Sequence, residues 1–244
     1  MPKPKINKLI EPQLAILRHE IIEGLMNPEK ELYPKFLYND IGSDIFEQIC
    51  TLEEYYPSRA EMEILQTYSD QMAKTIFENC NPENCLLIEY GSGSSAKTRV
   101  LLEKLDRLGV YMPIDISEQA LINAIEKLTS DYPNLEIMGI LADYTQELTL
   151  PKCDSKITKK VIFFPGTTIG NMTPTAAQDL LTKWTNLVGR GGGILVGIDR
   201  NKEPQLLHKA YNDSQNVTAD FNLNMLTRIN QELGANFDIK KFQL

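Results

Sequence analysis

The sequence has 244 residues, 42% of them apolar, a net charge of −8 and a pI near 5.0. That composition can bury the core of one domain with an elaboration, and its acidic balance leaves no electrostatic case for nucleic acid or an anionic membrane surface. Met1-Pro2-Lys3-Pro4-Lys5 opens no secretory signal, and no apolar run approaches the roughly 20 residues that span a bilayer. The four cysteines, Cys50, Cys80, Cys85 and Cys153, lack the paired spacing of a metal site, and the two histidines, His19 and His208, offer little help. Free thiols in a reducing cytoplasm, and no metal, are expected.

In chain order, Ile10, Leu14, Leu17, Ile21 and Leu25 recur at helical spacing, and Asn27-Pro28 ends that helix at about residue 26. A short helix then carries Ile41, Ile45, Phe46 and Ile49, and Tyr55-Tyr56-Pro57 breaks it. Ser58-Arg59-Ala60-Glu61 has the form of a capping box and predicts a helix through Met62, Leu65, Met72 and Ile76. The front third shows no strand signal. From Cys85 the pattern changes to strand–helix alternation, with strands predicted at 85–90, 110–115, 135–142, 161–165 and 193–198. Helices are predicted at 96–108, 117–129, 174–188, 204–212 and 218–233. Five apolar strands with intervening helices predict an α/β fold whose parallel sheet is covered on both faces, in the order 3-2-1-4-5. Ligands of such sheets bind beyond the C-terminal strand ends.

The central stretch is Leu86-Leu87-Ile88-Glu89-Tyr90-Gly91-Ser92-Gly93-Ser94-Ser95-Ala96-Lys97-Thr98. Strand, glycine turn and helix in that order bring backbone N–H groups and the positive end of a helix towards a ligand. Three ligand classes share this arrangement: a dinucleotide, a nucleoside triphosphate in a P-loop, and S-adenosyl-L-methionine (SAM). Asp115 ends the second strand, where a carboxylate can accept ribose hydroxyls. Asp143-Tyr144 ends the third, placed for an adenine amino group and its ring plane. Pro165-Gly166-Thr167-Thr168-Ile169-Gly170-Asn171 follows the fourth, with small residues around an asparagine that both donates and accepts. A P-loop needs glycine where Ala96 stands, and acidic strand ends oppose a triphosphate. A dinucleotide tolerates Asp115 but leaves Asn171 unexplained. A sulfonium welcomes carboxylates, so methyl transfer from SAM ranks first.

The residues also carry a resemblance. Tyr38-Asn39-Asp40-x-Gly42-Ser43-Asp44-x-Phe46-Glu47, Glu54-Tyr55-Tyr56-Pro57-Ser58-Arg59, the glycine stretch and Thr168-Ile169-Gly170-Asn171 together resemble the L-histidine N(α)-methyltransferase family of ergothioneine biosynthesis. Ala210-Tyr211-Asn212-Asp213 and Val217-Thr218-Ala219-x-Phe221-Asn222 extend the likeness over nearly the whole chain. The resemblance implies a Rossmann-like methyltransferase sheet that binds SAM through Tyr38, Gly91, Lys97, Asp115, Asp143 and Tyr144. It implies that Tyr55, Asn171 and Tyr211 hold a free amino acid, with Tyr55 and Asn171 orienting its amine. Three regions are expected: a helical substrate-binding or cap region at 1–82, the SAM-binding core at 83–200, and a helical start of a substrate-binding insertion at 201–244. Members of the family run on into a further segment that reads the imidazole and adds a final strand pair. This chain is therefore expected to be a C-terminally shortened member, with a separately encoded C-terminal fragment as a partner. The implied reaction takes L-histidine to its trimethyl betaine, hercynine. Methylation of another amino acid such as tryptophan, or cofactor binding without turnover, are the competing readings.

Overall fold

The computed structural model describes residues 5–9 and 14–242, excluding the side chains of 14–16. In chain order the helices and strands are β1 (Lys5–Lys8), α1 (Leu14–Met26), α2 (Asp40–Thr51), α3 (Tyr56–Ile76), β2 (Cys85–Tyr90), α4 (Ala96–Leu102), β3 (Val110–Asp115) and α5 (Glu118–Asp131). There follow β4 (Glu136–Leu141), β5 (Lys159–Phe164), α6 (Pro174–Val188), β6 (Gly193–Val196), α7 (Pro204–Tyr211) and α8 (Val217–Leu233). Two compact units result, Met1–Leu9 with Pro57–Asn201 and Ile10–Tyr56 with Lys202–Leu244.

The first unit is a six-stranded sheet in the order β1-β4-β3-β2-β5-β6, parallel at every pairing. Its last five strands keep the order expected from the sequence. The two central strands, β2 and β3, are buried along their whole length, as two-sided coverage requires. One face packs Leu87, Tyr111, Ile137, Val161 and Phe163 against Leu65 and Ile76 of α3, Leu101 of α4, and Leu121 and Ile125 of α5. Tyr90 and Phe164 meet Trp184 of α6, each with ring centroids 4.9 Å apart. Aromatic pairs at such spacing add about 0.5–1.5 kcal/mol beyond the area they bury. Parallel pairing brings the C-terminal ends of β2, β3, β4 and β5 to one edge, and strand order reverses about β2.

The fold departs from expectation in the front third. The front third does contain a strand: β1 pairs with β4, with Ile6 opposite Gly139. Its sequence, Lys-Ile-Asn-Lys, is too short and too polar to alternate visibly. The Ser58–Glu61 capping box does not open α3, which starts at Tyr56 with Pro57 in its first turn, so Ser58 is already inside the helix. The two compact units divide between Tyr56 and Pro57, and α3 packs into the sheet core. Cys80 and Cys85 lie close together, with Cα atoms 6.7 Å apart, and Cys50 and Cys153 are free thiols. Ile10, the first position of the predicted 10–26 helix, lies outside the described residues.

The second unit holds α1, α2, α7 and α8. Ile49, Leu52, Tyr55, Ala210 and Phe221 form one buried cluster; Ile21, Phe36 and Ile229 form another. Asn39 caps α2 by accepting from Gly42 N at 2.8 Å and also takes Asn224 Nδ2 at 2.8 Å. Asp213 accepts from the amides of Gln215, Val217 and Thr218, which satisfies the start of α8.

The sheet's two edges differ. β1 carries Lys5 and Lys8, each in an ion pair at the surface (with Asp154 at 3.0 Å and Glu118 at 2.6 Å), and lysines blunt an edge. β6 reads Gly193-Ile194-Leu195-Val196, has no charge, and pairs only with β5 among the described residues. No helix among the described residues is long and apolar enough to cross a membrane. The 244-residue chain is expected to self-associate through the β6 edge. Placing a charge beside it at Ile198, which is 70% exposed, should reduce association without lowering the melting temperature. Light scattering of the purified chain and of Ile198→Lys checks this, and a monodisperse parent would refute it.

Candidate active site

The glycine turn is fastened to the neighbouring strand. Gly91 and Gly93 adopt φ of +71° and +47°, a region open to glycine at little cost. Gly91 N and Ser92 N donate to Ile114 O at 2.9 and 3.2 Å, and Gly93 N donates to Asp115 Oδ2 at 2.8 Å. The other carboxylate oxygen of Asp115 accepts from Ser117 N at 2.9 Å. Ser117 caps α5, so Asp115 is not spent on that task. Burial raises the Asp115 pKa, opposed by the amides of Ser117, Gly93 and Ile116.

Asp143 lies at the end of β4, next to Asp115 through the Ala142 N to Asp115 O bond of 3.0 Å. Its Oδ1 accepts from Thr145 N at 2.9 Å and Thr145 Oγ1 at 2.6 Å. Tyr144 packs edge-on against Tyr90 and Phe164, at 5.9 and 5.8 Å between centroids. Burial pushes its phenol up to about 12, and the charges of Asp115 and Asp143 add to this. Burial likewise pushes Tyr90 up to about 12. Both rings serve as protonated walls.

The turn after β5 takes a positive φ at Gly166, +86°, and is strained at Thr167, with φ +60°. A positive φ at a β-branched residue is rare. Gly170 N closes the turn on Thr167 O at 2.8 Å, and Asn171 is exposed at its end. Gly166 N donates to both carboxylate oxygens of Glu61, at 2.8 and 2.9 Å, and Glu61 Oε2 is 2.6 Å from Lys97 Nζ. Sequence reasoning missed this role, having assigned Glu61 to a capping box. Gly91, Lys97, Asp115, Asp143, Tyr144 and Asn171 thus all lie in the sheet unit, at or just beyond strand ends.

Tyr38, Tyr55 and Tyr211 belong to the second unit, where they join one aromatic cluster. Tyr38 meets Phe46 at 5.5 Å and Phe221 at 5.4 Å; Tyr55 meets Phe46 at 6.3 Å and Tyr211 at 5.9 Å. Faces of this kind attract quaternary or protonated amines. Phe46 and Phe221 were visible only as apolar positions within longer motifs.

Beneath the glycine turn, Glu89 is buried, accepting from Thr98 Oγ1 and the Tyr111 hydroxyl. Tyr111 OH is in turn 3.4 Å from Ser95 Oγ. Burial raises the Glu89 pKa from 4.5 to about 8 despite both donors. The folded chain therefore keeps a proton that the unfolded chain has lost, and stability falls as pH rises from 4.5 to about 8, then levels. Denaturant midpoints measured across this window should decline, and Glu89→Gln should flatten the decline. An equal slope in both proteins would refute it.

The SAM-dependent histidine-specific methyltransferase profile matches residues 17–244. The chain is 37% identical over 231 residues to the histidine N-alpha-methyltransferase of Mycobacterium tuberculosis, covering 93% of this chain and 69% of the relative. It is 33% identical over 209 residues to ergothioneine biosynthesis protein 1 of Neurospora crassa, covering 84% of this chain and 23% of the relative. It is 26% identical over 230 residues to the 4-dimethylallyltryptophan N-methyltransferase easF of Claviceps fusiformis, covering 86% and 61%. On these matches the chain belongs to the SAM-dependent histidine-specific methyltransferase family.

Proposed function

We propose that this chain N-methylates the α-amine of a free amino acid, L-histidine to hercynine, with SAM as methyl donor and in the cytoplasm, where both are metabolites. The observation that carries the reading is the Asp115 carboxylate, buried at a strand end and bonded to the glycine turn. It supports a ribose contact, with Asp143 and Tyr144 at the adjacent strand end for the adenine. The donor set fits the cofactor, because two acidic side chains face a ligand that carries positive charge and no phosphate. Bound SAM supplies an electrophilic methyl group on a sulfonium.

The chain's residues have to orient the amine and keep it neutral. A cation close by lowers an ammonium pKa by like-charge repulsion, so a strong base is not required. Asn171 and Tyr55 are assigned to orienting the lone pair, Tyr211 to holding the amino acid, and Tyr38 to the cofactor. Alignment of this kind contributes at most about 7–11 kcal/mol. Small residues at Gly166, Thr167 and Gly170 leave room for successive methyl groups. The relative named for dimethylallyltryptophan favours a second reading, in which the same machinery serves an indole amino acid.

Incubation with SAM and either histidine or tryptophan, with products weighed by mass spectrometry, distinguishes the two. Asn171→Ala is expected to cut amino-acid use at least ten-fold while leaving S-adenosylhomocysteine affinity within about two-fold, a hydrogen bond to a charged group being worth roughly 1.5–3 kcal/mol. Equal losses would make Asn171 a structural residue. Asp115→Ala should weaken S-adenosylhomocysteine by about 1.5–3 kcal/mol in calorimetry. Unchanged affinity in a folded variant would remove the Asp115 assignment.

A further inference from the structure

Glu61 reaches two of the chemistry-bearing motifs together. From the second turn of α3 it receives the Gly166 amide on both oxygens at 2.8 and 2.9 Å, and Lys97 Nζ at 2.6 Å. Both side chains are largely shielded, at 14% exposure for Glu61 and 21% for Lys97. A third element makes space for it: a Cβ at Gly197, directly beyond β6, would stand 2.2 Å from Glu61 Oε1. Gly197 also continues the ladder, donating to Phe164 O at 2.9 Å. The carboxylate is thus seated among the ends of β5 and β6 and the first turn of α4. A helix-capping glutamate needs none of these contacts.

Lys97 follows the glycine turn immediately, where an unbalanced ammonium would repel a sulfonium. Its use lies with an anion, and the cofactor's only anionic group is the carboxylate of its amino-acid tail. A lysine on four rotatable bonds does not hold such an aim unaided. We infer that Glu61 is the positioning residue that aims Lys97 at the cofactor's tail and balances its charge, while fixing the Gly166 turn through the same carboxylate. This rests on the cofactor assignment above.

Calorimetry with two ligands tests it: S-adenosylhomocysteine, which has the tail, and 5′-methylthioadenosine, which lacks it. Glu61→Gln is expected to weaken S-adenosylhomocysteine about ten-fold, as for a lost charge-assisted contact, and to change 5′-methylthioadenosine less than two-fold. In a Lys97→Met background the same substitution should have no further effect, because a residue acting through Lys97 cannot act without it. Glu61→Asp, which keeps the charge but is too short to span both partners, should reproduce the loss if Glu61→Gln does not fold. Equal losses for both ligands, a persisting effect in the Lys97→Met background, or no loss would overturn the inference. Tighter S-adenosylhomocysteine binding would overturn it too, making Glu61 a competitor for Lys97. Failure of the parent chain to bind S-adenosylhomocysteine would instead refute the cofactor assignment.

Discussion

The carboxylate of Asp115 fastens the turn after β2 to the end of β3. One oxygen holds the glycine turn that leaves β2, and the other holds the start of α5. Parallel pairing brings the strands to the same edge, but pairing alone leaves the turn free to choose among conformations, as glycines do. The amide bonds from Gly91 and Ser92 to Ile114 O, then from Gly93 to Asp115, remove that choice. Everything proposed about the cofactor depends on this fastening. A carboxylate already accepting two amides keeps lone pairs for a ligand, and its geometry is set before the ligand arrives.

Under the same turn the chain accepts a cost. Glu89 is buried between Thr98 and Tyr111, with no cation bonded to it, and its proton is held to about pH 8. Neutralisation is the ordinary outcome when a carboxyl has to be buried without a partner charge. The result is a polar knot linking β2, β3 and α4, three elements that meet at the glycine turn. Its three members cannot be replaced singly without stranding a buried hydroxyl or carboxyl, which costs about 1–3 kcal/mol.

Much of this was legible in the sequence, and the parts that were not share a cause. Five strands stood out because each is a continuous apolar run ending at a turn residue, and the order of those five held. Asp115 and Asp143 stood out because acidic residues ended apolar runs. β1 did not, since a four-residue edge strand with two lysines owes its conformation to β4 and not to its own pattern. Glu61 was assigned to the wrong partner because Ser58-x-x-Glu61 satisfies a local rule, whereas its contacts lie on β5 and α4. Phe46 and Phe221 looked like core positions, and only the packing shows them gathered with Tyr38 and Tyr55. Local pattern reveals elements; it does not reveal which distant side chains a tertiary fold brings face to face.

The protonation states restrict the chemistry further. Tyr90 and Tyr144 line the strand ends, yet burial holds their phenols near 12, so neither can take a proton from an ammonium at neutral pH. Glu89 retains its own proton and is sealed from solvent. Asp115 accepts from two backbone amides, which oppose the rise of its pKa by burial. Tyr90, Tyr144 and Glu89 are therefore neutral groups at neutral pH. A reaction supported there has to be one that proceeds once a neutral nucleophile is aligned with an electrophile. Methyl transfer from a sulfonium to a neutral amine is a reaction of that kind, and aligning the two reactants lowers its barrier.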